Sequence, residues 1–498
     1  MAHVENTIDL TTPSNFSVES HAITVRSRIR LLLLNPNESC YHFDRLGEET
    51  LEHVREAQWD HELDFNMNFF KEICYKTMSC VLEHVDTMDD LDEHTAPQLE
   101  LLAKETVKLR RALRCLQSEI DPEVQSYCRS EFLKFLKNGY LIGYSSDSIE
   151  SLLDSKTLNN QTMTQRLIRF GVLQRFFALC HGYEPHRAIL LKTADIAMKC
   201  SLDRIDKIRS IGVAMAAPLM CQAAEWLLRA GEDLATASFC RAQVHGHDDL
   251  CESASSSTVY YSSDIAQIFM DVDGSPMIDN YTYWTNGRFH FDRWDAWKEA
   301  LETYNQLCET ETRTKRFKDA EMARIDAASY ASKDALIYMD SLDYQRKQIN
   351  RLITTCLDSA TNEEMAQKAI SEIFTMSGAI SPIMQQLARA KGGREILWRS
   401  KIRFVWAAIL YSLKDGGEPP RVYQKSTVDR LMENLIRRIK TILRGARNRD
   451  LTMLMFLNIT DVFYANYVQA TFMLEEPDPV VIAGLKTLKE GLQHLASG

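Results

Sequence analysis

Residues 292–308 read DRWDAWKEALETYNQLC, and the large apolar positions in this stretch recur at steps of three, four, three and four: Trp294, Trp297, Leu301, Tyr304 and Cys308. That spacing places all five on one face of an α-helix. Asp292 stands where a side-chain carboxylate can cap the first free backbone N–H groups. The same signature recurs along the chain. Between residues 59 and 85, Leu63, Met67, Phe70, Ile73, Cys74, Met78 and Val81 follow a 3–4 rhythm. Residues 97–120, 164–180, 185–200 and 204–237 read likewise, the last interrupted by Gly212 and Pro218.

With only 19 Gly and 12 Pro in 498 residues, the chain has few breakers. Long uninterrupted elements follow, and the expected fold is all-α: a multi-helix bundle or irregular helical stack with little or no strand. The least helical composition lies at 245–286, where 259–269 admits one short strand. No internal repeat of fixed period is present. The expected organisation is an unstructured tail at 1–20, a helical domain at 21–340 and a carboxy-terminal helical domain at 341–498.

Charge is unevenly spread. The chain carries a net −11, yet residues 391–450 hold 15 Lys/Arg and 6 Asp/Glu, leaving −20 elsewhere. An acidic chain is a poor nucleic-acid ligand unless its basic residues are segregated, as they are here. A helix capped by Ser426 or Thr427 is expected to end at Gly445, with Val428, Leu431, Leu435, Ile439 and Ile442 on its apolar face. Arg430, Arg437 and Arg444 recur every seven residues on another face and form the candidate anion-binding group. Acidic neighbours are expected to neutralise at least two of them, which makes a nucleic-acid partner unlikely.

Twelve cysteines without a C-x-x-C pair, several inside apolar helical patterns, read as reduced buried thiols. The amino terminus lacks a basic segment followed by an apolar one. Residues 451–474 are too polar for a membrane span, with Asp461 near the centre. The expected compartment is the cytoplasm, the nucleus being the alternative.

Two constellations have the residue types of metal sites. Asp89, Asp90 and Glu93 fit the D-D-x-x-E form that holds Mg²⁺ and a diphosphate in helical enzymes. The partner motif such enzymes need is missing, and the acids suit a solvated turn before Pro97. Cys240, His245, His247 and Cys251 lie within twelve residues, but C-x4-H-x-H-x3-C is not a common zinc spacing. No cofactor is expected. Phosphate-binding glycine loops and nucleophile-elbow motifs are absent, which weighs against an enzyme without excluding one.

Two segments resemble an uncharacterised family of fungal helical proteins over about residues 212–326. The first is AAEWLLRAGEDL at 223–234. The second is WTNGRF at 284–289 followed by RWDAWK at 293–298, with Thr312-Arg313 and AEMARI at 320–325 behind it. The resemblance implies a helical fold, a fungal source and an association with specialised-metabolism gene clusters; it implies no activity. Read from the residues, Trp226, Trp284, Trp294 and Trp297 form a structural tryptophan cluster. Three functions follow as expectations: a non-catalytic helical scaffold with a protein partner, an enzyme holding a hydrophobic substrate in a helical cavity, or a binder of anionic surfaces through the basic helix.

Overall fold

The computed structural model describes residues 18–49, 67–90, 94–115, 160–183, 187–240, 289, 291–358, 360–376, 393–414, 423–467 and 478–497. Among the described residues every regular element is helical and none is a strand. The short strand expected at 259–269 lies outside them. The chain divides into two compact units, residues 1–180 and 181–498. A boundary at 340/341 would cut through the middle of an unbroken 39-residue helix.

The first unit contains α1 (Val18–Leu34), α2 (Met67–Asp86), α3 (Thr95–Cys115) and the greater part of α4 (Asn160–Tyr183). Ala22, Val25, Ile29 and Leu32 give α1 its buried face. Its polar edge is tied to α2 by Lys76–Glu19, His21–Thr77, Cys80–Ala22 and Arg26–Glu83, whose separations are 57, 56, 58 and 57 residues. A constant offset means that the two helices run parallel. Pro97 sits in the first turn of α3, where its missing N–H costs nothing.

The second unit is built around α7 (Val213–Phe239), of whose 27 residues 21 are buried. A helix apolar on all sides must be enclosed on all sides. The helices α5 (Arg187–Cys200), α6 (Ile205–Ile211), α8 (Phe291–Thr314), α9 (Asp319–Leu357) and α11 (Gly393–Lys414) pack around it. Outside this group lie α10 (Glu363–Thr375), α12 (Lys425–Gly445), α13 (Arg449–Tyr467) and α14 (Pro479–Ser497). The helices α8 and α9 form an antiparallel hairpin, with Lys298 on Asp343 at one end and Asn305 accepting from Ser329 further along.

Gly212 separates α6 from α7 at φ 82°, ψ 157°, a region essentially restricted to glycine. Pro218 does not interrupt the chain as expected. It is buried within α7, and packing on every side outweighs the one backbone bond that it removes. Of residues 451–474, those at 451–467 lie in α13 and the rest lie outside the described residues; Asp461 is paired with Lys489 of α14 at 2.8 Å. No helix among the described residues is long and apolar enough to cross a membrane.

Small residues bring the helices close together. A Cβ added at Gly231 of α7 would lie 2.7 Å from Cε1 of the buried Tyr338 on α9, whereas one added at Gly445 would meet nothing within 4 Å. Overpacking costs roughly 1–3 kcal/mol and the gain in helix propensity is at most about 1. Gly231→Ala should therefore lower unfolding stability by on the order of 1–2 kcal/mol, and Gly445→Ala should not lower it. Urea denaturation of the two variants measures the difference.

Candidate functional site

Three polar clusters are built into the described residues. The first centres on Arg293, in the first turn of α8. Its Nη1 donates to Asp195 Oδ1 of α5 at 2.6 Å, while Nη2 and Nε donate to the Asp203 carboxylate at 2.6–3.2 Å. Trp297 Nε1 donates to Asp203 Oδ1 at 2.7 Å, and the guanidinium lies 5.0 Å from the Trp297 ring centroid. Burial acts to lower the Arg293 pKa, but Asp195 and Asp203 outweigh it and hold the pKa above its ordinary value. The adjacent Lys199 is pushed down, chiefly by burial, although Asp195 pulls the other way. A planar fork gripping two carboxylates joins α5, the 3₁₀ turn Leu202–Arg204 and α8. Its donors are aimed at carboxylates of the protein itself.

The second cluster surrounds Asp233, the one acidic residue buried in α7. His181 Nε2 lies 2.9 Å from Asp233 Oδ2, Ser400 Oγ donates to Oδ1 at 2.9 Å, and Arg403 Nε is 3.8 Å from Oδ1. His181 also meets the edge of Trp226, with ring centroids 5.8 Å apart. Serine, histidine and aspartate are thus together, but in the wrong order for nucleophilic catalysis. A base-activated serine gives its proton to imidazole; here the carboxylate stands between the two. All four residues are at most 2% exposed.

The third cluster, in the first unit, has the composition of a metal site. Donor atoms of His42, Asp44 and Glu105 lie within 4.8 Å of one another. The Lys108 ammonium lies 2.5 Å from Glu105 Oε1 and 2.9 Å from His42 Nδ1. Because Nδ1 accepts from this lysine, His42 Nε2 is the nitrogen that donates to the Pro36 carbonyl, at 3.3 Å. Glu105 also accepts from the Phe43 backbone N–H at 3.0 Å. Glu105, His42 and Lys108 thus form an internal ion-pair network.

Some of the residues singled out from sequence lie among the described residues. Trp294 and Trp297 are buried side by side, with centroids 6.3 Å apart. Trp226 is buried against His181, and Trp284 lies outside the described residues. Asp89 and Asp90 occupy the turn between α2 and α3, where the Asp89 carbonyl accepts from Thr95 Oγ1 at 2.6 Å; Glu93 lies outside the described residues. Cys240 is buried at the end of α7, its carbonyl accepting from Asn466 Nδ2 at 3.0 Å. His245, His247 and Cys251 also lie outside the described residues.

The basic helix departs from expectation in two ways. Gln424, not Ser426 or Thr427, is its N-cap, and Leu443 is buried where Ile442 is only half-buried. Arg430 is engaged by carbonyls instead of acids. It donates to Thr361 O at 2.6 Å, Cys356 O at 3.0 Å and Asp358 O at 3.1 Å, closing the carboxy-terminal end of α9. Arg437 pairs with Glu363 at 3.2 Å, and Arg444 is exposed on the last turn. Of the three arginines, only Arg437 has a carboxylate partner among the described residues.

Sequence reasoning missed an exposed stripe on α9. Tyr330, Ile337 and Tyr344 are 71%, 69% and 65% exposed and stand seven residues apart. The opposite side of α9 carries the buried positions Ile325, Ala328, Ser332, Ala335, Met339, Leu342 and Ile349. A second apolar series, out of phase with the first, was the available signal. No protein-family model, curated protein or solved structure matches the chain.

Removing one partner from a buried ion pair strands the remaining charge, at roughly 3–5 kcal/mol. Asp233→Ala should therefore cost about that much in chemical denaturation, a large fraction of the stability of most domains. Burial lifts the thiols of Cys308 and Cys356 to about 11 from an ordinary 9. At pH 8 their thiolate fraction falls roughly a hundredfold. Peptide mass spectrometry after brief native alkylation should find the exposed Cys40 modified and these two intact. A raised acid pKa stabilises the fold below pH 9, and that contribution disappears as pH rises through 11.

Proposed function

We propose that this chain is an intracellular, non-catalytic helical interaction protein. The observation carrying the proposal is the stripe of Tyr330, Ile337 and Tyr344 on α9. Exposed apolar residues scattered singly are ordinary, but three large ones aligned on the 39-residue α9 form the kind of patch that proteins use to meet one another. The polar clusters support the same reading, because each turns its charges on other residues of the chain. Among the described residues six cysteines are buried, which suits a reducing compartment. The anionic-surface reading is weakened where Arg430 and Arg437 are engaged internally. The resemblance to fungal helical proteins would place the partner in specialised metabolism.

Substituting Tyr330, Ile337 and Tyr344 together by Ser changes only exposed positions, so helicity and melting temperature should be nearly unchanged. The triple variant should nevertheless fail to restore the phenotype of a strain lacking the protein. Rescue equal to that by the natural chain would remove the interaction surface from the function.

A further inference from the structure

We propose that the exposed face of α9 is the seam of a homodimer, two copies of the chain meeting through this helix in antiparallel orientation. The inference rests on the interaction reading above and specifies the partner as a second copy of the same chain.

The helix suits the purpose. It runs unbroken from Asp319 to Leu357 without an internal Gly or Pro, about 58 Å at 1.5 Å per residue. A seven-residue step rotates only about 20° out of register on a straight α-helix. Tyr330, Ile337 and Tyr344 therefore stay on one side over some 21 Å.

The same side carries a second series. Asp326, Lys333, Asp340 and Lys347 are all exposed, again seven residues apart, and their charges alternate. In heptad terms the two tyrosines and the isoleucine take one core position and the four charges the other. Neither series alone defines a partner; together they do. Reversing the helix about a two-fold axis at Ile337 sets Ile337 against its own counterpart. The same operation brings Tyr330 level with the partner's Tyr344. Lys333 then falls beside the partner's Asp340, and Asp326 beside the partner's Lys347.

Every charge in the series thus meets its opposite, and the aromatic–aliphatic–aromatic series maps onto itself. Parallel pairing in register would set Lys333 on Lys333 and Asp340 on Asp340, which like-charge repulsion disfavours. A surface that is its own complement under a two-fold rotation is what an isologous contact requires. Lys298, which already reaches Asp340 and Asp343 from α8, adds a second cation at the edge of the seam.

The apolar area is small, so association should be reversible and dependent on concentration. Sedimentation equilibrium of the full chain should show the mass rising from 57.2 kDa toward twice that value as concentration increases. Ile337→Lys places a like charge on the two-fold axis and should reduce the association constant at least tenfold, with unchanged circular dichroism and melting temperature. Lys347→Glu should weaken association because it faces the partner's Asp326. Asp326→Lys added to that variant should restore it, which reads the antiparallel register directly. A chain that stays at 57.2 kDa at every concentration overturns the proposal, as does a dimer indifferent to both Ile337→Lys and the charge exchange. The two readings fail separately: a monomer whose triple serine variant cannot rescue leaves the interaction surface with another partner, whereas a seam dimer whose triple variant rescues removes the function and keeps the dimer.

Discussion

The enclosure of α7 governs the second unit. A helix with 21 of 27 residues buried needs neighbours on every side, and neighbours can approach only where its side chains are small. Ala223, Ala224, Ala230, Ala235 and Ala237 provide that room, and at Gly231 the ring of Tyr338 fills the place a Cβ would take. Burial on this scale also isolates polar groups. Asp233, toward the carboxy-terminal end of the helix, is 1% exposed, and an unpaired buried carboxylate would shift the balance toward unfolding by several kcal/mol. His181, Ser400 and Arg403 converge on it for that reason, and in doing so they fix α11 against α7.

The same requirement explains the other clusters. Arg293 is nearly buried at the start of α8, and two carboxylates plus an indole N–H define its surroundings. Glu105 has almost no exposure and collects a lysine and a backbone N–H. Arg430 closes the end of α9 with three carbonyl contacts. In each of these clusters the charged groups solvate one another within the protein. What faces outward is different in kind: an apolar stripe on α9, flanked by the exposed charges Asp326, Lys333, Asp340 and Lys347, of which Asp340 also pairs with Lys298 of α8.

Helix identity was legible in the chain because periodicity depends on residues three and four apart, which stay neighbours whatever the rest of the protein does. The scarcity of Gly and Pro and the 3–4 spacing of Trp294, Trp297, Leu301, Tyr304 and Cys308 were enough to specify an all-helical protein. Gly212 as a break between helices was legible for a similarly local reason, since its backbone conformation excludes side chains. Tertiary structure alone decided the rest. Pro218 continues a helix because packing supports it from all sides. His181, Asp233 and Ser400 lie 52 and 167 residues apart in pairs, a separation that no local pattern encodes. The solvent-facing phase of Tyr330, Ile337 and Tyr344 depends on which side of α9 meets α7 and α8, and only the packed fold makes that choice.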